Sequence, residues 1–331
     1  MFATLWLASG AAIALNRQMR LLLIDGHYYV YRSFFAIRNL SNSRGEPTNA
    51  IYGFIKTVRK MIKDLQPDLA AVLWDMGMPQ RRVALQPDYK ATRAEMPDEM
   101  RLQLTTIQNA VPMMGIASIG VEDTEADDLM ATYACAARRR GDEVVLATND
   151  KDLFQLVDEK CRVYSTNKTD LAAPTDPFVL LGADKVQEKW GVPPGQIGEV
   201  LALIGDSVDN IPGIEGLGPK TAATLLKEHG NLEALLGNLD AVKSERTREK
   251  LRAGIPQIRQ NQEMVRLDLD LPLPKTLEEL GISPNYAELV PLLEQCEFKG
   301  LTAEVKAEAE AVGVKVVSAP PPPKMGQGEL F

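Results

Sequence analysis

Three short apolar runs along the chain each lead into an aspartate: residues 21–24 before Asp25, 70–74 before Asp75, and 144–148 before Asn149 and Asp150. Continuous apolar runs of this length predict strands buried on both faces, the pattern of a parallel sheet rather than of an alternating antiparallel one. Helical patterns lie between them, over residues 50–65 and 126–140. Alternation of strand and helix predicts an α/β sheet covered by helices on both faces. Sites in such sheets form beyond the carboxyl ends of the strands, so Asp25, Asp75 and Asp150 are expected to converge.

The pattern breaks over residues 76–100, which are polar and carry Arg81, Arg82, Lys90 and Arg93. This segment reads as a mobile basic excursion over the strand ends, with a solvated surface loop as the plainer alternative. From about Gly191 the chain becomes helical and richer in glycine and proline. Residues 219–266 hold nine basic and six acidic side chains, a local excess of three positive charges. After about residue 301 a charged stretch leads into four consecutive prolines, which form a stiff extended spacer. The divisions are therefore an N-terminal extension over 1–18, an α/β domain over 19–190, a helical region over 191–300 and a flexible tail over 301–331. Residues 1–15 are apolar, but no Lys or Arg precedes the run and it is too short to span a bilayer. Met19 opens the first strand run, so 1–18 reads as a mis-called extension. A signal peptide is the alternative. With no other segment resembling a membrane span, a cytoplasmic location is expected.

Composition narrows the chemistry. The chain has two histidines and three cysteines, with no CxxC or HxxxH spacing. That leaves little room for zinc sites or histidine acid–base work. Carboxylates remain, and with them oxygen-ligated cations such as Mg²⁺ or Mn²⁺. Beyond the strand ends, Glu125, Asp127 and Asp128 open a helix, where the helix dipole tolerates acids. Asp150 and Asp152 share a loop, and Asp206 and Asp209 lie on one side of a helical turn. Nine converging carboxylates are tenable only around cations, and two such ions are the device for in-line attack on a phosphodiester. The turn over residues 213–220, with Gly213, Gly216, Gly218, Lys220 and Thr221, is no dinucleotide loop, since no strand precedes it. It fits a hairpin between two helices whose backbone N–H groups approach phosphate oxygens. An ordinary tight helix connection is the alternative.

The segments LLLIDGHYYVYRSFFA, DYKATR, EADDLM, ATNDKDLFQLV and GDSVDNIPGIEGLGPKTA resemble the 5′-nuclease family, the 5′–3′ exonuclease domain of bacterial DNA polymerase I and its flap endonuclease relatives. The resemblance runs from about residue 19 to 299. It implies a PIN-like α/β domain with a central, mainly parallel sheet and a helical arch, followed by an α-helical helix-three-turn-helix region containing a helix–hairpin–helix. It also implies that all nine acids are metal ligands, that Lys90, Arg93 and an upstream arginine, Arg82, belong to the arch, and that the 213–220 hairpin binds duplex phosphate, often with K⁺. His27 and Val208 depart from the family's usual residues. No polymerase follows, so a stand-alone chain is expected.

The implied activity is a divalent-metal-dependent 5′–3′ exonuclease and 5′-flap endonuclease of replication and repair, working as a monomer. Its partners would be branched or nicked DNA with a 5′ end and RNA–DNA primer junctions. Aromatic residues after Asp25, among them Tyr28, Tyr31 and Phe35, could stack on an unpaired base. The last residues, with Gln327, Leu330 and Phe331, resemble the peptide that docks on the bacterial sliding clamp. The alternatives are a non-catalytic branched-DNA binder, a PIN-type ribonuclease, and a small-molecule phosphohydrolase. The last would need a second aspartate where His27 stands.

The balance of 45 acids against 37 bases gives a formal charge of −8 and by itself argues against a nucleic-acid partner. Setting aside the nine grouped acids leaves the remainder nearly balanced, with its basic residues clustered.

Overall fold

The computed structural model describes residues 17–165 and 178–316. The candidate clamp peptide, residues 1–16 and the proline spacer lie outside the described residues. Two compact bodies are present. One takes the chain up to Tyr29, Ile62–Met96 and Ala117–Ile282; the other takes Val30–Met61, Pro97–Ile116 and the chain from Ser283.

The first body is built on a six-stranded sheet. Its strands are β1 (Arg20–Asp25), β2 (Leu69–Trp74), β3 (Ala117–Gly120), β4 (Glu143–Ala147), β5 (Cys161–Ser165) and β6 (Val179–Leu181). They lie in the order β3-β2-β1-β4-β5-β6, with only β5–β6 antiparallel. The chain leaves β1 first towards β2 and β3 and then returns to β4 on the other side. The order therefore reverses between β1 and β4, and a crevice opens at that point outside the carboxyl ends. Leu21, Leu22, Leu23 and Ile24 are fully buried, as are Ala70, Ala71, Val72 and Leu73, which is why these runs carry no alternation.

The helices are α1 (Gly26–Ala36), α2 (Asn49–Leu65), α3 (Gln80–Leu85), α4 (Asp98–Met113), α5 (Ala126–Arg140), α6 (Ala183–Trp190), α7 (Ile197–Ile204), α8 (Pro219–His229), α9 (Leu232–Gly237), α10 (Glu245–Met264), α11 (Tyr286–Gln295) and α12 (Lys299–Ala311). Helix α5 buries Leu129, Met130, Tyr133 and Ala137 in the core shared with β1 and β4 and ends at Gly141 in a left-handed C-cap. A two-residue ladder, β7 (Gly205–Asp206) with β8 (Ile211–Pro212), folds the acidic turn after α7.

The boundary at 190 expected from the sequence does not coincide with a division between the compact bodies, because the helices after it pack into the same core as the sheet. The second body contains α4, α11, α12 and portions of α1 and α2. There Gln103 is buried, and its Oε1 accepts the free N–H groups of Ala50 and Ile51 at the start of α2. The first part of the segment expected from 301 to be a flexible tail is ordered. Leu301, Val305 and Ala309 recur every fourth residue and are buried, so residues 299–311 form a packed helix. No helix of the described residues is long and apolar enough to cross a membrane.

Candidate active site

All nine acids lie in the first body, at the carboxyl ends of the strands or on the loops above them. Asp25 ends β1, where Oδ1 accepts the Tyr28 N–H at 3.0 Å and Oδ2 the Thr148 hydroxyl at 3.1 Å. Asp75 follows β2 and accepts the Ala126 N–H at 2.9 Å. Glu125 is the N-cap of α5, but its side chain makes no capping bond and is turned to other partners. Asp127 and Asp128 occupy the first turn of that helix. Asp150 follows β4 and accepts the Asp152 N–H at 2.8 Å, while Asp206 accepts the Val208 N–H at 2.9 Å.

These carboxylates feel one another. Burial pushes Asp25 up to about 7, with Asp75 and Asp150 adding repulsion. Asp127 is raised by burial and then by Asp150, Asp25 and Asp75. Asp152 is raised by burial and then by Asp150, Asp206 and Asp209, and Asp150 by burial and then by Asp209 and Asp206. Two groups therefore overlap at Asp150. Asp25, Asp75 and Asp127 lie on one side, and Asp152, Asp206 and Asp209 on the other.

Among the described residues no three of these acids converge tightly enough to form a metal-ligand group. The donor set nonetheless fits hard divalent cations. It is entirely carboxylate oxygen, and Asp152 Oδ1 is buried without a hydrogen-bond partner.

A raised folded-state pKa means that the native protein holds the proton more tightly than the unfolded chain does. Asp25 therefore contributes stability that is full below about 4 and lost as the pH rises through about 7. In chelator, the melting temperature is expected to fall across that window. Adding Mg²⁺ at pH 7 should restore it, and Asp25→Asn should flatten the dependence. A melting temperature in chelator that rises from pH 4 to 7 would contradict this assignment.

Four basic side chains close on the acids. Lys90 pairs with Glu125, Arg93 with Asp209 at 2.6 Å, Lys151 with Asp206 at 2.6 Å, and Arg82 with Glu125 and Asp128. Burial lowers the Lys90 pKa, but Glu125 and Asp209 outweigh it, so the ammonium is held charged above its ordinary range. Lys90 and Asn210 both adopt left-handed backbone, at φ 58 and 60, and the Lys90 N–H donates to the Asp209 carbonyl at 3.0 Å. That conformation is strained for non-glycine residues and is concentrated at functional sites. The segment read as a mobile basic excursion over the strand ends contains helix α3 and reaches the acids there through Arg82, Lys90 and Arg93.

Arg82 differs most from expectation. The family resemblance sets it in the arch, near the passing 5′ strand. Its side chain is only 4% exposed and its hydrogen-bond donors are taken up inside the protein. Tyr89 and Lys151 escape motif reading. The Tyr89 hydroxyl lies 3.1 Å from both Glu125 Oε1 and Asp209 Oδ2, between these two acids. Its one signal is its place before Lys90, yet nothing in the sequence shows which way the ring points. His27 accepts the Asp75 N–H at 3.3 Å, and burial lowers its pKa against the pull of Asp75. Val208, the other departure, is exposed. Of the aromatics after Asp25, Tyr29 is core and Phe35 is exposed.

The hairpin lies between α7 and α8. A Cβ at Gly213 would stand 1.9 Å from the Ile204 carbonyl oxygen, so this glycine permits close backbone packing. Gly216 has φ +80, which favours glycine. Gly218 caps α8 with open space around it, and Lys220 and Thr221 are exposed in the first helical turn. Lys250 reaches the hairpin from α10, donating to the Glu215 carbonyl at 2.8 Å. Exposed N–H groups and cations at a helix start suit phosphate.

Fold and site together define an α/β protein with buried, mutually interacting carboxylates gathered at the carboxyl ends of a mainly parallel sheet. The family model described as 5′-3′ exonuclease, N-terminal resolvase-like domain, matches residues 20–191, and that described as 5′-3′ exonuclease, C-terminal SAM fold, matches 192–288. A 5′-3′ exonuclease of Aquifex aeolicus is 36% identical over 286 residues, covering 86% of this chain and 94% of that protein. The thermostable DNA polymerase I of Thermus thermophilus is 39% identical over 303 residues, 92% of this chain but 35% of the polymerase. The chain thus spans about a third of the length of its polymerase relatives. Among solved structures, the bacteriophage T5 flap endonuclease in a complex with DNA and metal ions aligns with TM-score 0.61 at 21% identity, covering 88% of this chain and 99% of that one. The catalytic core of Rad2 in complex with DNA substrate aligns with TM-score 0.57 at 17% identity, covering 89% and 93%. The chain belongs to the 5′–3′ exonuclease family.

Proposed function

We propose that the protein is a divalent-metal-dependent 5′–3′ exonuclease and 5′-flap endonuclease, acting on branched or nicked DNA with a 5′ end and on RNA–DNA primer junctions. The observation that carries this reading is the overlap of two carboxylate groups at Asp150, closed over by Lys90 and Arg93. Asp25, Asp75, Glu125, Asp127, Asp150, Asp152, Asp206 and Asp209 would hold two or more Mg²⁺ ions, or Mn²⁺ in their place. When bound, such ions supply a water nucleophile at neutral pH and offset phosphate charge. The DNA and metal ions bound to the T5 enzyme, and the DNA substrate on Rad2, support the same assignment.

The protein's own residues then divide the work. Lys90 and Arg93, held charged beside Glu125 and Asp209, orient the scissile phosphate and stabilise its developing charge. Tyr89 keeps Glu125 and Asp209 in register. The exposed start of α8, with Gly216, Gly218, Lys220 and Thr221, holds duplex phosphate, and a K⁺ ion on the 213–220 carbonyls belongs to the same proposal.

The test is cleavage of a labelled 5′ flap and of a nicked RNA–DNA duplex in Mg²⁺, in Mn²⁺, and with both chelated. Cleavage that survives chelation overturns the metal reading. Binding without cleavage under all conditions favours the non-catalytic junction binder.

The tail supports a further partner. Gln327, Leu330 and Phe331 would dock on the sliding clamp, with the two apolar side chains filling a pocket and Gln327 fixing register. Replacing Leu330 and Phe331 together by alanine is expected to weaken clamp binding at least about tenfold, given the burial energy of two large apolar groups. Equal binding of both forms would remove this partner.

A further inference from the structure

We infer that Arg82 and Asp128 form a buried positioning pair that fixes Glu125 in the carboxylate site, and that neither side chain touches metal or nucleic acid. The inference rests on the metal-nuclease reading and reassigns two of its residues.

A guanidinium has five N–H donors in a rigid fork. Those of Arg82 are matched by five acceptors. Nε donates to the Met264 carbonyl at 3.0 Å. Nη1 donates to Glu125 and to Asp128 Oδ2, the latter at 2.6 Å. Nη2 donates to Asp128 Oδ1 and to the Arg266 carbonyl, both at 3.0 Å. With no donor left over and a 4% exposed side chain, Arg82 could reach a phosphate only by abandoning buried partners.

Asp128 is equally committed. Its two oxygens take the Arg82 fork side-on, and Oδ1 also accepts the Asp268 N–H at 2.9 Å. The side chain is 1% exposed. With both oxygens taken up by the Arg82 fork and the Asp268 N–H, Asp128 is a poor ligand for a hydrated cation. Glu125, three positions earlier at the start of the same helix, is also buried but is shared among Lys90, Tyr89 and Arg82.

The pair also explains the end of α10. Met264 is its last residue, where backbone carbonyls lack helical partners and the dipole favours cations. Arg81 repeats the contact, donating to the carbonyls of Glu263 and Arg266. The adjacent arginines therefore fasten the end of the basic helix to the start of α5, and one hydrogen bond of that fastening reaches Glu125.

The test combines Mn²⁺ binding followed by electron paramagnetic resonance with single-turnover flap cleavage. Asp128→Asn is expected to bind as many Mn²⁺ ions as the wild type, with affinity within about threefold, while Asp150→Asn loses at least about tenfold. Arg82→Lys keeps the charge but not the fork. Its turnover should fall about 10- to 100-fold, the usual scale for groups that orient a ligand, with KM for the flap unchanged. In a Glu125→Gln background the same change should cost little more. Loss of an ion in Asp128→Asn, or a raised KM in Arg82→Lys that persists without Glu125, overturns the inference while leaving the metal reading intact. If Arg82→Lys does not fold, Asp128→Asn in the Glu125→Gln background supplies the same coupling measurement. A wild type that binds no Mn²⁺ removes the metal reading and the inference with it.

Discussion

Asp150→Asn is expected to lose at least about 100-fold in single-turnover flap cleavage, the scale set by removing one charge-stabilising group from a preorganised site. Asp150 is the carboxylate that both acidic groups share, so its charge counts twice. The substitution is a narrow one. Asparagine keeps an oxygen to accept the Asp152 N–H, and the Asp150 N–H can still donate to the Thr148 hydroxyl at 3.0 Å. The loop should therefore hold its course while one negative charge disappears. Two further outcomes follow from the sign of that change. Flap DNA should bind the variant at least as tightly, because a charge opposing phosphate has gone. In chelator at pH 7 the variant should melt at or above the wild type, since burial and the charges of Asp209 and Asp206 disfavour the ionised form. Cleavage within about threefold of wild type would sink the metal-nuclease assignment.

Lys90→Ala should act on a different step. Lys90 holds its ammonium on Glu125, and its backbone turn is tied to Asp209. Turnover of bound substrate is expected to fall on the order of 100- to 1000-fold, because a positioned cation at the developing phosphate charge is lost. Duplex affinity should change by less than about threefold, since the duplex would be held by the start of α8 and by α10. Alanine meets the same left-handed backbone strain that lysine already bears at φ 58, so the comparison isolates the ammonium. Rate and affinity measured separately on one 5′ flap decide it. An equal loss in both would move Lys90 from the reacting phosphate to general DNA binding.

Much of this site is legible in the chain. Asp25, Asp75 and Asp150 each follow an apolar run, and a parallel sheet brings such residues to one edge whatever the loops do. The shortage of histidine and cysteine leaves carboxylates as the remaining chemistry. Net charge misleads, because grouped acids dominate the total while the basic residues cluster elsewhere. Arg82 and Asp128 show where motif reading stops. As isolated letters they match a strand-contacting arginine and a metal ligand. Their burial depends on carbonyls at the end of α10, about 180 residues away from Arg82 in sequence. Tyr89 is illegible for the same reason, since its hydroxyl is defined by two acids brought together from distant loops.

The sequence by itself determined the mainly parallel sheet, the acids at its carboxyl edge, the hairpin between helices and the family. These follow from short-range periodicity and from residue types at fixed spacing. Tertiary structure alone decided which acids share a group and which arginine faces the interior. It also showed that residues 299–311 are packed helix rather than tail. Those outcomes depend on desolvation and on which distant donors reach each oxygen, quantities that exist only once the chain has folded.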